Sequence, residues 1–260
     1  MAIIESRAET ASPIPPSPNA PKVASVHAFV RRLNSLYPLQ AAEVARCVDL
    51  IDDVRVIAGN EHVLQEQQAS TEALVLLEGL ACHYRIMDSG RRQMTGIVVP
   101  GDFCDYGFLS SSPIRQSVQA LGRAIVGRIN LAQLSALTED HPNVVVAIMR
   151  AASIDQACSR ELAVSLGARD AVQRMSYFLC ELYHRMRVVG LVNHGGQFPL
   201  TMTQSELGEA LGLSTVHVNR TVQHLRRSKL IAMVHGTITV LDIAALSALA
   251  SFDGRYLKPS

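Results

Sequence analysis

Apolar positions along this chain change their period repeatedly, and each change marks a new kind of element. From His27 to Leu50 the spacing is helical: Phe29, Leu33 and Leu36 share one face, and after Pro38 so do Val44, Val48 and Ile51. From about Val54 to Ile129 short runs alternate with period two. Ala73-Leu74-Val75-Leu76-Leu77 passes through Glu78-Gly79 into Leu80, Cys82, Tyr84 and Ile86, with Ala81, His83 and Arg85 on the opposite side. Asp88-Ser89-Gly90 reads as a turn, Ile97-Val98-Val99 stops at Pro100-Gly101-Asp102, and Val118–Ile129 is a further alternating stretch. Short strands separated by turn residues predict an antiparallel sandwich or barrel.

A long helix is expected after Thr138-Glu139-Asp140-His141-Pro142, ending near Gly167, because acidic residues and proline suit a helix start and glycine its end. Roughly 25 residues at 1.5 Å each make a rod of about 38 Å. Val144, Ile148, Ala151, Asp155, Cys158 and Leu162 follow steps of four and three, a seam for pairing with a second copy, with Asp155 as its polar interruption. A second stripe, Val145, Met149 and Ala152, is expected to lie against the β-part. Two apolar faces suit a dimer spine between two domains; a long internal helix of a monomer is the alternative. Arg169–Val189 is a further amphipathic helix with Val172, Met175, Leu179, Leu182, Met186 and Val189 on one face. Gly190 and Gly195-Gly196 break the chain after it.

The stretch richest in chemical meaning runs from Thr203 to Arg227. Thr203 with Glu206 three residues later is a capping box. Leu207 and Leu211 form the core face of a short first helix, and Gly208 permits close helix approach. Gly212 breaks that helix, Leu213 plugs the angle and Ser214 caps a second helix that buries Val218, Val222 and Leu225. Its other face carries Thr215, Asn219, Gln223 and Arg226, flanked by Arg220 and Arg227. Across Thr203–Lys229, four basic residues (Arg220, Arg226, Arg227, Lys229) against Glu206 and Glu209 leave a local charge of +2. Two helices on a tight glycine turn, the second with a polar and basic outer face, describe a helix-turn-helix. Ile231–Asp242, turning at His235-Gly236, adds a β-hairpin wing.

Composition narrows the field without naming a function. The 260 residues are 48% hydrophobic and 18% charged, with 24 Lys+Arg against 23 Asp+Glu. That excludes wholesale disorder and a uniformly basic nucleic-acid coat, but not a local basic face. No run reaches the ~20 apolar residues of a membrane helix, and the first residues lack a secretory pattern, so the expected location is the cytoplasm. Five scattered cysteines suggest neither a disulfide framework nor a zinc site. Residues 1–24 hold five of the eleven prolines and read as a disordered tail, or at most a docking strand. No Gly-x-Ser-x-Gly, phosphate loop or H-E-x-x-H is present, so an enzyme is not expected.

These motifs, in this order, resemble the cyclic-AMP receptor protein/fumarate-nitrate regulator (CRP/FNR) family of bacterial transcription factors over roughly residues 30–245. Leu76–Gly79, the Asp88-Ser89-Gly90-Arg91 turn and Pro100-Gly101-Asp102-Phe103 look like that family's sensor β-roll, followed by the spine helix and the Thr203–Arg227 motif. The resemblance implies an α+β fold: a disordered tail (1–24), a sensor domain (25–137) with an antiparallel β-roll of the cyclic-nucleotide-binding, jelly-roll kind, a dimerisation helix (138–167) and a winged helix-turn-helix domain (168–260). It implies double-stranded DNA, a second copy of the chain and RNA polymerase as partners, and no membrane.

Residue by residue, the resemblance places Thr215, Val216, Asn219 and Arg220 against base edges, with Gln223 on the same face. Arg220 matches the family's recognition-helix arginine, able to donate two hydrogen bonds to guanine O6 and N7. Thr203, Ser205, Ser214 and His217 fall where phosphates are met; Ser214 is also read simply as a cap. Val216 departs from the glutamate that many relatives carry. In cyclic-AMP-binding relatives a Gly-Glu pair and a later Arg-Ser pair hold the nucleotide, whereas here Asp105-Tyr106 and Arg115-Gln116 take their places. Cys104, Asp105, Tyr106, Arg115 and Gln116 are thus the candidate effector pocket, and cyclic AMP is not expected to bind tightly. An iron-sulfur cluster is not expected either, since residues 1–46 hold no cysteine. Cys82 and His83, adjacent on a strand, face opposite ways and cannot share a haem or metal. Cys82 reads as buried, Cys104 as exposed beside Asp105, and Cys158 either as packing or as an oxidation switch. No cofactor is predicted. The alternative to a DNA-binding regulator is a ligand-binding or protein-interaction module on the same scaffold.

Overall fold

A computed structural model describes residues 22–67, 72–110 and 113–258, with side chains from residue 27 onward. Residues 1–21 of the expected tail lie outside the described residues; residues 22–24 already belong to the first helix, α1 (Lys22–Leu36). Helix α2 (Ala41–Asp49) follows, entered through a capping box between Gln40 and Glu43. Phe29, Leu33 and Leu36 are buried as their spacing predicts. The second face holds in part: Ile51 is buried and Val44 packs half-buried against the core, but Val48 is exposed, and Glu43, Cys47 and Leu50 also turn inward.

The β-domain has five antiparallel strands: β1 (Ile51–Ile57), β2 (His62–Leu64), β3 (Glu72–Ile86), β4 (Arg92–Val98) and β5 (Ser117–Asn130), in the order β1-β5-β3-β4 with β2 also paired to β5. The chain leaving β4 continues along the edge of β3. The Gly101 and Cys104 amides donate to the Leu76 and Leu74 carbonyls, and the Leu76 amide donates to the carbonyl of Asp102. Ala81 is as buried as Leu80 and Cys82, so β3 is covered on both faces there. Ile86 lies 63% exposed at the hairpin end, outside the core its alternation suggested.

A helix the pattern did not announce, α3 (Leu131–Asp140), is capped by the Asn130 side chain. The long helix α4 (Pro142–Ala168) starts with Pro at its first position. Its inward face is the reverse of the expected one. Val144, Ile148, Ala151 and Cys158 are buried in the chain's own core, with Phe29, Leu33, Phe103 and Leu137. Residues enclosed this way cannot form a seam with a second copy, so their expected dimer role is withdrawn. Leu162 is half-buried and lines a small cavity beside Met94, Tyr177 and Leu211. Asp155 is half-buried in a cleft against the β-domain. The stripe expected to pack is covered only in part: Val145 and Ala152 are half-buried, while Met149 is 57% exposed.

Helix α5 (Ala171–Val188) begins with a capping box of Asp170 and Gln173. It is enclosed on more than one face: Tyr177, Phe178, Cys180 and Arg185 are buried along with Met175, Leu179, Leu182 and Met186. Beyond it come β6 (Gln197–Pro199), α6 (Gln204–Leu211), α7 (Thr215–Arg227), β7 (Ile231–Val234), β8 (Thr237–Val240) and α8 (Ile243–Ala250), with a three-stranded sheet in the order β6-β8-β7. A single apolar cluster joins Leu80, Tyr84, Met94 and Ile97 of the β-domain to Met175, Phe178, Leu207, Leu211 and Leu225 of this C-terminal part.

Candidate nucleic-acid interface and effector cleft

The geometry of α6 and α7 follows from a few local choices. Thr203 Oγ1 accepts from the Glu206 amide at 3.2 Å, and Glu206 Oε2 accepts from the Thr203 amide at 2.6 Å, so two otherwise orphaned donors are satisfied. Gly212 ends α6 with φ of 61°, a left-handed conformation that side-chain-bearing residues resist. Gly208 permits the tight turn: a Cβ there would lie 2.6 Å from the Leu213 carbonyl oxygen. Ser214 Oγ accepts from the His217 amide at 3.3 Å and starts α7. Val218 and Leu225 are buried beneath it with Thr221, while Val222 is only half-buried.

The outer surface is open. Thr203, Ser205, Ser214, Thr215, Val216, His217, Asn219, Arg220 and Gln223 are all exposed, with Arg226, Arg227 and Lys229 beside them. Among the described residues, Arg220 has no carboxylate within ion-pair distance, so its guanidinium is available to an external acceptor. The wing turns at His235 and Gly236, both with positive φ (46° and 73°), which suits a two-residue hairpin turn.

The region is held against the β-domain by polar contacts. Arg92 Nε donates to Glu209 Oε2 at 2.6 Å, Gln93 Nε2 to the Glu209 carbonyl at 3.0 Å, and Thr201 Oγ1 to the Leu121 carbonyl at 2.7 Å. The deepest tie passes through Asp102. Its Oδ2 accepts from Arg185 Nη2 of α5 at 2.5 Å and its Oδ1 from Arg32 Nε of α1 at 3.1 Å, all three side chains being buried. Burial pushes the Asp102 carboxyl up, but Arg185 and then Arg32 outweigh it and hold it below the ordinary carboxylate range. In the sequence Asp102 is legible only as part of a turn, the carboxylate of a Gly-Asp step between apolar strands being its one local signal.

The candidate effector residues converge in part. Asp105, Arg115 and Gln116 line an open cleft of about 990 Å³ between the β-domain and α4, together with His83, Arg85, Thr95, Asp155 and Gln156. Tyr106 borders an adjoining recess with His83, Asp105 and Arg115. Thr95 Oγ1 donates to Gln116 Oε1 at 2.7 Å, and the Gly107 amide to Asp105 Oδ1 at 2.6 Å. Burial raises the Asp155 carboxyl, with His83 opposing that shift. Cys104 does not belong to the site. It is fully buried with Leu76, Val118 and Ala124, and burial pushes its thiol up, so the expected exposure is corrected. All five thiols are buried, with Cys82 pushed up to about 12 and Cys180 to about 11 chiefly by burial. Among the described residues no three His, Cys, Asp or Glu side chains are grouped to hold a metal ion, and no helix is long and apolar enough to cross a membrane.

A winged helix-turn-helix with an open polar face, joined through a long helix to a β-domain with a cleft, defines a DNA-binding transcription regulator with a sensor domain. Residues 54–141 match the family model of the cyclic nucleotide-binding domain, and residues 173–249 that of the Crp-like helix-turn-helix domain. The chain is 32% identical over 213 residues to the nitrogen fixation regulation protein FixK of Bradyrhizobium diazoefficiens, covering 82% of this chain and 88% of that protein. It is 27% identical over 226 residues to the transcriptional activatory protein AadR of Rhodopseudomonas palustris, covering 86% and 92%. The solved structure of FixK2 from Bradyrhizobium japonicum shares the fold, with a TM-score of 0.66 at 20% identity over 77% of this chain and 98% of that one. The chain belongs to the CRP/FNR family of transcription regulators.

Proposed function

We propose that this regulator acts as a homodimer on a two-fold DNA site, with the α7 helices in successive major grooves about one helical turn (~10 bp) apart. The observation that carries the reading is the unpaired, exposed face of α7 on a fully capped turn. Arg220 and Asn219 read base edges, Thr215, Val216 and Gln223 complete the contact, and Thr203, Ser205, Ser214 and His217 meet phosphates. Selection of bound sequences from a random DNA pool, at two salt concentrations, tests this. An enriched palindrome whose recovery falls steeply with salt is expected; no enrichment at either salt counts against it. The reading is of a cytoplasmic binding protein rather than an enzyme, with RNA polymerase as the further partner that family membership implies.

The dimer surface we assign is the least covered stripe of α4: half-buried Val145 and Ala152 with exposed Met149, Gln156, Ser159 and Ala163, again in steps of four and three. Met149→Glu is expected to convert a dimer to a folded monomer in sedimentation, because the residue is exposed within the chain. A dimer that persists would eliminate this stripe.

No iron-sulfur cluster or haem enters this reading, since the thiols are buried and scattered. For the cleft, Asp105 and Asp155 face the same space as Arg115 and His83, which favours a ligand with both donors and acceptors over a bare phosphate. Calorimetry with cyclic AMP is expected to give no dissociation constant at or below the micromolar range, and one that tight would overturn the assignment.

A further inference from the structure

A second cleft, of about 700 Å³, opens where the end of α5 and α8 meet the C-terminal strap, residues 251–258, beside Arg32 of α1. The strap is fixed at both levels: Tyr256 Oη donates to Glu181 Oε2 at 2.8 Å, and Leu257 is buried in the core shared by α1 and α4. The charges around this cleft do not balance. Among the described residues its one lining carboxylate, Asp253, is taken by Arg255, whose Nε and Nη2 both donate to it, the closest at 2.5 Å. Arg32 and Arg185 at its inner wall are both ion-paired with Asp102, Arg185 also with Glu181. Arg187 and Lys258 have no carboxylate within ion-pair distance among the described residues. The half-buried His184 ring lines the same cleft, stacked on Phe252 with centroids 5.3 Å apart and planes 5° from parallel. Burial first, then Arg187 and Lys258, lower the His184 pKa, and both cations line the cleft with it.

We propose that this cleft binds a small molecule carrying a pyrophosphate group, held by Arg187 and Lys258 over the floor made by His184 and Phe252. Two unpartnered cations flanking one recess match a multiply charged anion better than a single carboxylate. Enough volume remains beside the stacked rings for an attached base and sugar. The cleft is bordered by the sensor helix α1 and by α5 of the DNA-binding part, so its occupant touches both.

Isothermal calorimetry on the full chain with inorganic pyrophosphate, ADP and adenosine, at 0.15 M salt and without DNA, tests the site. Pyrophosphate and ADP are expected to bind once per chain with submillimolar dissociation constants, and adenosine not to bind. The exposed pair Arg187→Gln with Lys258→Gln is expected to weaken both phosphates at least tenfold with an unchanged melting temperature, while Lys258→Arg retains binding. Arg220→Ala is expected to leave both affinities unchanged. The proposal fails if neither phosphate binds, if the double variant binds as tightly as the parent, or if adenosine binds as well as ADP. Loss of binding with Arg220→Ala also overturns it, assigning the anion to the DNA surface instead.

Discussion

Asp102→Ala is expected to lower the stability of this regulator by about 3–5 kcal/mol, the usual cost of removing one partner from a buried ion pair. Two buried guanidiniums, Arg32 and Arg185, would lose their shared acceptor, and Arg185 already has a buried Nε with no hydrogen-bond partner. At ~2–4 °C per kcal/mol for a chain of this size class, calorimetry should show the melting temperature falling by roughly 6–20 °C. A change below ~1 kcal/mol would mean the arginines find other acceptors or water. The effect also has a pH signature. The folded pKa of Asp102 lies below its unfolded value, so the carboxylate's contribution is complete above ~3.9, the ordinary Asp value, and is lost as pH falls through the folded one. Asp102→Asn should therefore be less stable than the parent at neutral pH, with the gap closing in strong acid.

Arg220→Ala is expected to weaken specific DNA binding sharply while leaving melting temperature and oligomeric state unchanged. A bidentate arginine–guanine contact discriminates by ~1–3 kcal/mol, and a two-fold site uses it twice, so affinity should fall roughly 30-fold to 10⁴-fold. Fluorescence anisotropy on the selected palindrome and on a scrambled duplex separates the two contributions. The scrambled duplex should lose little, because its binding rests on phosphate contacts made by other residues. Equal losses on both duplexes would place Arg220 on a phosphate rather than a base, and no loss on either would leave α7 without a reading role.

The helix-turn-helix was legible in the sequence because each of its decisive features is local. The Thr203–Glu206 box, the Gly212 break and the Ser214 cap act within four residues and do not depend on what packs nearby. The faces of α4 were not legible, because Val144-Ile148-Ala151 and Val145-Met149-Ala152 carry the same period and similar apolarity. Which stripe turns inward depends on where α1 and α2 dock, a long-range fact. A similar limit applied to Cys104: a thiol after a Gly-Asp-Phe turn reads as exposed until Cys104 pairs with Leu74 and folds under the roll. Helix α8 and the C-terminal strap went unseen for a different reason. Ile243–Ala250 is a short, alanine-rich helix with little amphipathic contrast.

The apolar cluster that Leu80, Met94 and Ile97 share with Phe178, Leu207 and Leu211 bears on how separable the two halves are. A chain severed before α5 would leave each half with an unsheltered greasy wall, so neither fragment should behave as a self-sufficient part. Grafting this helix-turn-helix onto another receiver would require the matching positions of β4 to travel with it. Evolution within such an architecture is then expected to adjust the two sides of that wall together.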